Sequence, residues 1–428
     1  MIDVNTAMYR SNQMVLAEGK ASRPVNTIKA YASKQRDCKQ WCQEKKFADG
    51  EIVSDSKLSF FLDDHVMARG RKKQRAEDGS PVPLGKESIL AYVKAVSDLY
   101  NTQKALKINS NEAARGPLVR TFLDNLEKTK TKQKRANFED RGKNTLNDGY
   151  TKEELMKISQ YFINQKNDIN GSRDRLCFLI SHAMLCRSQT ALGLQFPDLF
   201  AITLENQGIT KCISLVAAIS FGKTNQHGKI EYGSSIHHKQ VELCSVGALA
   251  LYLFSRFYFE NEEFPDFSER KNWYETVVFK GKDQKTAIIY QAQHKIYFGA
   301  FKNVGIHTSK VTHANRKSAL NMIAQKNVPG DQQRMVGRWG TDRMVGCCVS
   351  SLPVDATKSL AGFPVASNNY FLPRAVVIPP MDLQVQVFPQ VDIWKQRFEL
   401  QDGVQEDIAG PNFLNLLSNL RTVFLQVN

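Results

Sequence analysis

Arg187 in LCRSQTALGLQFPDL, Lys223 in GKTNQHGK, His313 and Arg316 in THANRKSAL, and Arg338 beside Trp339 in GRW are side chains that could act together on one phosphate. Guanidinium forks match phosphate oxygens in pairs and stabilise the charge that develops when a phosphoryl group is displaced. His313 and Arg316 stand three apart, so on a helix they share a face and reach one group together. A lysine at a mobile hairpin tip can enter a groove and protonate a leaving oxygen. Each piece alone is common: a lone histidine more often serves a core or a surface, and Arg187 could equally pair with a carboxylate such as Asp198.

These residues need elements to hold them. Arg187 follows SRDRLCFLISHAML, which reads as a buried helix, and Lys223 sits in a Gly-flanked turn after the β-rich run CISLVAAISF. CSVGALALYLFSRFYFE, VTHANRKSALNMIAQ and DQQRMVGRW read as further helices. Upstream, SRPVNTIKAYASKQRDCKQWCQEKKFA places Ile28, Tyr31, Cys38, Trp41 and Cys42 on one helical face after a cap at Asn26 or Thr27. LSFFLDDHVMAR, SILAYVKAVSDLYNTQKAL and PLVRTFLDNLEKTK continue the helical pattern, with the basic loop RGRKKQRAEDGSPVPLG between the first two. The expected class is mainly α with a small antiparallel β-sheet. The expected division is a helical domain over 1–125, a basic linker over 126–149, the domain bearing the phosphate-seeking residues over 150–365, and a Pro-punctuated extension with helices over 366–428. The last helix carries Phe413, Leu416, Leu417, Leu420 and Phe424 at helical intervals, and is expected to dock on this protein or on a second copy, giving a homodimer.

Among 428 residues, 58 are basic and 43 acidic, a formal charge of +15 with an isoelectric point near 9.3. That excess points to a polyanionic partner, nucleic acid before membrane, because no basic amphipathic anchor is present. Lys132, Lys134, Arg135, Arg141 and Lys143 crowd the linker, where they suit phosphate contacts or simply a solvated surface. No run of eighteen apolar residues and no signal-peptide pattern is present, so an intracellular protein is expected. The eight cysteines show no CxxC pair and no zinc spacing, so neither metal nor cofactor is expected. Cys38 and Cys42 read as core packing around Trp41.

The order Arg187, Lys223, His313-x-x-Arg316, Gly337-Arg338-Trp339 resembles the tyrosine recombinases. NFEDRGKNTLNDGYTKEE, CSVGALALYLFSRF, THANRKSA, GRWGTDRMVGCCVSSLP and IPPMDLQVQVFPQVD are similar to a fungal branch of that fold. That branch holds the Crypton-type recombinases and the centromere DNA-binding subunit family of nuclear division cycle protein ten. The resemblance runs from about Asn137 to Asp392, with a vaguer match before it. It implies a helical core-binding-like domain and a recombinase-like domain that clamp double-stranded DNA in the nucleus. It also implies that Arg187, Lys223, His313 and Arg316 face the phosphate, with Lys229 competing for the hairpin role.

In the recombinases a histidine or tryptophan precedes the nucleophilic tyrosine by nine residues. Counted from Trp339 that position is Cys348, and counted from Arg338 it is Cys347. A thiol is a poor nucleophile toward phosphorus, and the paired cysteines read better as helix packing. The leading expectation is therefore a DNA-binding protein on a recombinase scaffold that has lost strand cleavage. Two alternatives stay open: an active Crypton-type recombinase or transposase using another tyrosine such as Tyr370, and an interaction protein whose C-terminal helix recruits partners.

Overall fold

A computed structural model describes residues 2–142, 145, 148–165, 169–222, 228–339, 352–365 and 368–427. Lys143, Lys223, Cys347 and Cys348 lie outside the described residues. The chain divides into two units, Met1–Asp140 and Arg141–Asn428.

In the first unit the apolar face around Trp41 becomes a core. Helix α1 (Ile2–Ala21) is exposed along nearly all its length and precedes α2 (Val25–Lys45). The expected caps Asn26 and Thr27 fall inside the first turn of α2, because Pro24 takes the cap position with φ −54°, the value its ring imposes. Then come α3 (Asp55–Phe60), which continues into a π-helical turn over Phe61–Met67, α4 (Lys86–Ala105) and α5 (Pro117–Ala136). The Asp55 carboxylate accepts from the backbone N–H groups of Gly116, Leu118 and Val119 at 2.8–3.1 Å and so caps α5. Cys38, Trp41 and Cys42 of α2 are buried with Leu58, Phe61, Leu62, Val93 and Val119. The stretch expected to begin a linker at residue 126 is instead helical to Ala136. Buried Val119 and Leu123 pin the start of α5, Lys130 Nζ donates to the Leu84 carbonyl at 2.6 Å, and the Lys, Gln, Arg and Ala that follow are good helix formers.

The second unit opens with α6 (Lys152–Asn164), whose Thr151 and Glu154 form a reciprocal capping box. Next are α7 (Ile169–Ala183), α8 (Ser188–Leu192), and strands β1 (Leu199–Leu204), β2 (Cys212–Ile219) and β3 (Glu231–Ile236). The strands form an antiparallel sheet in the order β1-β2-β3, with Leu199 opposite Ala217 and Ile219 opposite Glu231. After it come α9 (Ser245–Phe254), α10 (Arg270–Trp273), α11 (Tyr290–Val304), α12 (Ala314–Gln325), α13 (Gly330–Gly337), α14 (Val354–Leu360), α15 (Met381–Gln386), α16 (Gln390–Leu400) and α17 (Ala409–Val427). The class is mainly α with a small antiparallel sheet, as expected.

Helix α17 takes the first of its two expected docking places, this protein itself. Its apolar face is spent on its own unit, where it packs on β1 and α9. Phe413 stacks on Phe196 at 4.8 Å and Phe424 on Phe254 at 4.1 Å, while Arg421 pairs with Asp392 at 2.8 Å. Among the described residues no helix is long and apolar enough to cross a membrane, and no cluster of three His, Cys, Asp or Glu could hold a metal.

Candidate phosphate-binding site

The end of α7 sets the geometry. After Ala183 the chain turns through Leu185 in the left-handed conformation, φ 47°, and Arg187 becomes the residue that precedes α8. A leucine tolerates that conformation only when its surroundings enforce it. Here Leu185 is fully buried in a small cluster with Ala319 and Ile323 of α12, Val336 of α13 and Ala356 of α14. The same cluster ties the turn just before Arg187 to the later turns of α12 and the end of α13.

Two arginines meet at that turn. Arg316, buried in the first turn of α12, donates Nη1 to the Leu185 carbonyl at 2.6 Å and Nη2 to the Gly337 carbonyl. Arg338, at φ 50° just past α13, donates Nη1 to the Met184 carbonyl at 2.9 Å and Nη2 to the Leu185 carbonyl at 3.0 Å. Trp339 lies over the Arg316 guanidinium, 4.7 Å from charge to ring centre, and is 36 % exposed on its outer side. Gly337 makes that stacking fit, since a Cβ there would stand 2.3 Å from the Trp339 ring.

Burial, and then the positive fields of Arg338 and Arg187, push the Arg316 pKa down to about 10. Among the described residues neither Arg316 nor Arg338 forms an ion pair, so three guanidiniums share one neighbourhood in which the fields of Cys186 and then Glu231 favour the charge on Arg316. Cys186, buried beside them, has its thiol pushed up by desolvation. The Asp198 carboxylate accepts from the Gln195 N–H at 2.8 Å, and burial raises its pKa to about 6.

The structure thus brings Arg187, Arg316, Arg338 and Trp339 together. His313 is exposed at the residue before α12, one turn ahead of the buried Arg316, so the two share a helix start but not a depth. Arg338 turns most of its donors inward, acting on the protein's own carbonyls. Lys229 is exposed ahead of β3, Arg141 is exposed near the start of the second unit, and Lys132, Lys134 and Arg135 are exposed on α5 of the first. Tyr370 lies elsewhere, fully buried with Cys212, Ile236, Phe363 and Leu372, its backbone bridged to Gly208. Among the described residues its hydroxyl has no hydrogen-bond partner, and burial raises the phenol pKa far above its usual value. Sequence reasoning passed over the Leu185 carbonyl and the steric role of Gly337. The glycine was readable in GRW, whereas the left-handed leucine has no local signal.

With this geometry in view, the comparison with known families is decisive. The family model for the centromere DNA-binding protein complex CBF3 subunit, domain 2, matches residues 102–427. The chain belongs to that family. This is the family that the segments NFEDRGKNTLNDGYTKEE, CSVGALALYLFSRF, THANRKSA, GRWGTDRMVGCCVSSLP and IPPMDLQVQVFPQVD resemble. No curated protein sequence matches. Solved structures similar to the chain include the XerH site-specific recombinase bound to its difH substrate, 16% identical over 78% of each chain with a TM-score of 0.46. The FLP recombinase in a Holliday-junction complex is 9% identical over 94% of this chain and 98% of that one, with a TM-score of 0.38. Ndc10 of budding yeast is 13% identical over 92% of this chain and 99% of that one, with a TM-score of 0.29.

Proposed function

We propose that this centromere-family chain is a nuclear protein that binds double-stranded DNA, seating a backbone phosphate at Arg187 and Arg316 while Arg338 braces the turn beneath them. The observation that carries this reading is the crowding of three guanidiniums whose mutual repulsion an anion would relieve. The bonds to the Leu185 and Gly337 carbonyls use two of the five N–H groups of Arg316, which leaves donors for phosphate oxygens. Lys223, Lys229 and His313 complete the phosphate set in this reading, and Lys132, Lys134, Arg135, Arg141 and Lys143 add contacts further along the duplex. Descent shared with Crypton-type recombinases, and a fungal source, belong to the same reading and rest on the order of these motifs.

The protein holds DNA in this reading without cutting it. Catalysis by Tyr370 would need a reachable phenol beside a base, and Tyr370 is buried, unbonded and strongly disfavoured as phenolate. The test uses the full chain with a labelled duplex. Fluorescence anisotropy should show binding that Arg187→Ala weakens to about the same extent on every sequence tried. Detergent quenching of a nicked duplex should leave no covalent adduct. Undiminished binding by Arg187→Ala would refute the phosphate seat, and a stable adduct would refute the loss of cleavage.

A further inference from the structure

A second basic cleft opens in the same unit, and none of Arg187, Arg316 and Arg338 lines it. It encloses about 660 Å³ between the start of α6, the end of α12 and the end of α14. That size falls within the roughly 300–1,000 Å³ typical of small-molecule sites. Lys152, His182, His238, Lys326, Ser359 and Gly362 are among its walls.

Lys326, Ser359 and His238 bring donors to these walls. Lys326 gives one proton to the Ser359 carbonyl at 2.8 Å and keeps two more. The Ser359 hydroxyl, on a residue only 2 % exposed, has no hydrogen-bond partner among the described residues. His238 Nδ1 accepts from the Gln240 N–H at 2.9 Å, which puts the proton of the neutral ring on Nε2, facing Gly362, where a Cβ would stand 3.5 Å away. His182 is occupied with the Tyr150 hydroxyl at 2.8 Å.

The charges agree with the donors. Lys326 has its pKa lowered by burial and then by Lys152 and Lys239, and His238 has its pKa lowered to about 4 by burial, with Lys152, Arg374 and Lys326 adding to the effect. Two carboxylates, Glu153 and Glu154, stand at the start of α6, and Glu154 is already engaged by the Thr151 N–H at 2.7 Å.

We propose that this cleft binds a phosphate-bearing small molecule, whose oxygens accept from Lys326 Nζ, the Ser359 hydroxyl and His238 Nε2. An anionic, acceptor-only group satisfies all three donors at once and offsets the lysines. A neutral amide or a cation would not. The Gly362 main chain, at φ 84°, leaves room beside His238 that a side chain would fill.

The test is isothermal titration calorimetry of the full chain with inorganic pyrophosphate, run in parallel on Lys326→Met, Ser359→Ala and Arg187→Ala. Saturable binding is expected, weakened roughly tenfold or more in Lys326→Met and less in Ser359→Ala. The Lys326-dependent part of the binding should persist in Arg187→Ala. Should Lys326→Met lose its cooperative unfolding transition, Ser359→Ala carries the comparison. No saturable heat at millimolar pyrophosphate, or equal affinity in the parent protein and the folded cleft variants, overturns the proposal. So does loss of pyrophosphate binding in Arg187→Ala alone, which would assign the anion to the arginine cluster. Duplex binding by Lys326→Met should be unchanged, so the two sites succeed or fail separately.

Discussion

The Leu185 carbonyl accepts from Arg316 Nη1 at 2.6 Å and from Arg338 Nη2 at 3.0 Å, joining two segments far apart in sequence at one left-handed residue. A guanidinium fork can hold neighbouring carbonyls in a way an ammonium cannot. We expect Arg338→Lys to lower stability by about 1–3 kcal/mol, because carbonyls of the buried turn lose partners. Urea unfolding measures this, and an unchanged midpoint would show that the fork does not support the turn.

Gly337 meets Trp339 so closely that no side chain fits between them. Gly337→Ala should displace the indole from Arg316, at a cost of about 1–3 kcal/mol for overpacking. Trp41, Trp273 and Trp394 remain as internal references, so a change in tryptophan emission on comparison with Trp339→Phe reports the displacement. Identical spectra and stability would mean that the contact yields without effect.

Tyr370 places an unpartnered hydroxyl in an apolar cluster. A buried donor without an acceptor is destabilising, so Tyr370→Phe should raise stability by about 1 kcal/mol and leave duplex binding intact. A large loss of stability would reveal a hidden partner for the hydroxyl.

His182 is fully buried and its pKa falls to about 3, first through desolvation and then through the field of His238. Unfolded, it titrates near 6.5. Above that pH both states are neutral; below it the unfolded chain takes a proton that the folded chain refuses, so stability is lost as pH falls from about 6.5 toward 3. By pH 5 the loss from this group is about 2 kcal/mol. Denaturant unfolding at pH 7 and pH 5 should show a smaller difference in His182→Gln than in the parent protein. Equal differences would indicate that His182 is solvated.

If phosphate contacts dominate DNA binding, affinity should fall steeply with salt, by about 10³–10⁵-fold between 50 and 200 mM for 6–10 contacts. Arg187→Ala should reduce the slope of log affinity against log salt by about 1. An unaltered slope would place Arg187 outside the contact set.

Much of the scaffold was legible because periodicity reports burial. Cys38, Trp41 and Cys42 are core residues as their spacing indicated, β2 lies where CISLVAAISF is richest in β-formers, and Phe413, Leu416, Leu417 and Leu420 form a buried helical face. Spacing could say that His313 and Arg316 neighbour one another, but not that one is exposed and the other buried, since depth is set by what packs across them. The inward turn of Arg338 was likewise illegible, because its partners are carbonyls of a turn near residue 185. The extension of α5 through Ala136 was hidden by charge: a run of lysines reads as a linker, although lysine is a good helix former when the first turns are anchored.

The docking of α17 on β1 and α9 also has a temporal consequence. Phe413 fills a place beside Phe196 that stays open while the residues between them are being synthesised. The second unit therefore cannot close its main core as it leaves the ribosome. It must wait, with β1 and α9 partly uncovered, until the segment to Val427 has emerged, and that interval is when a chaperone would find it and when it is most prone to aggregate.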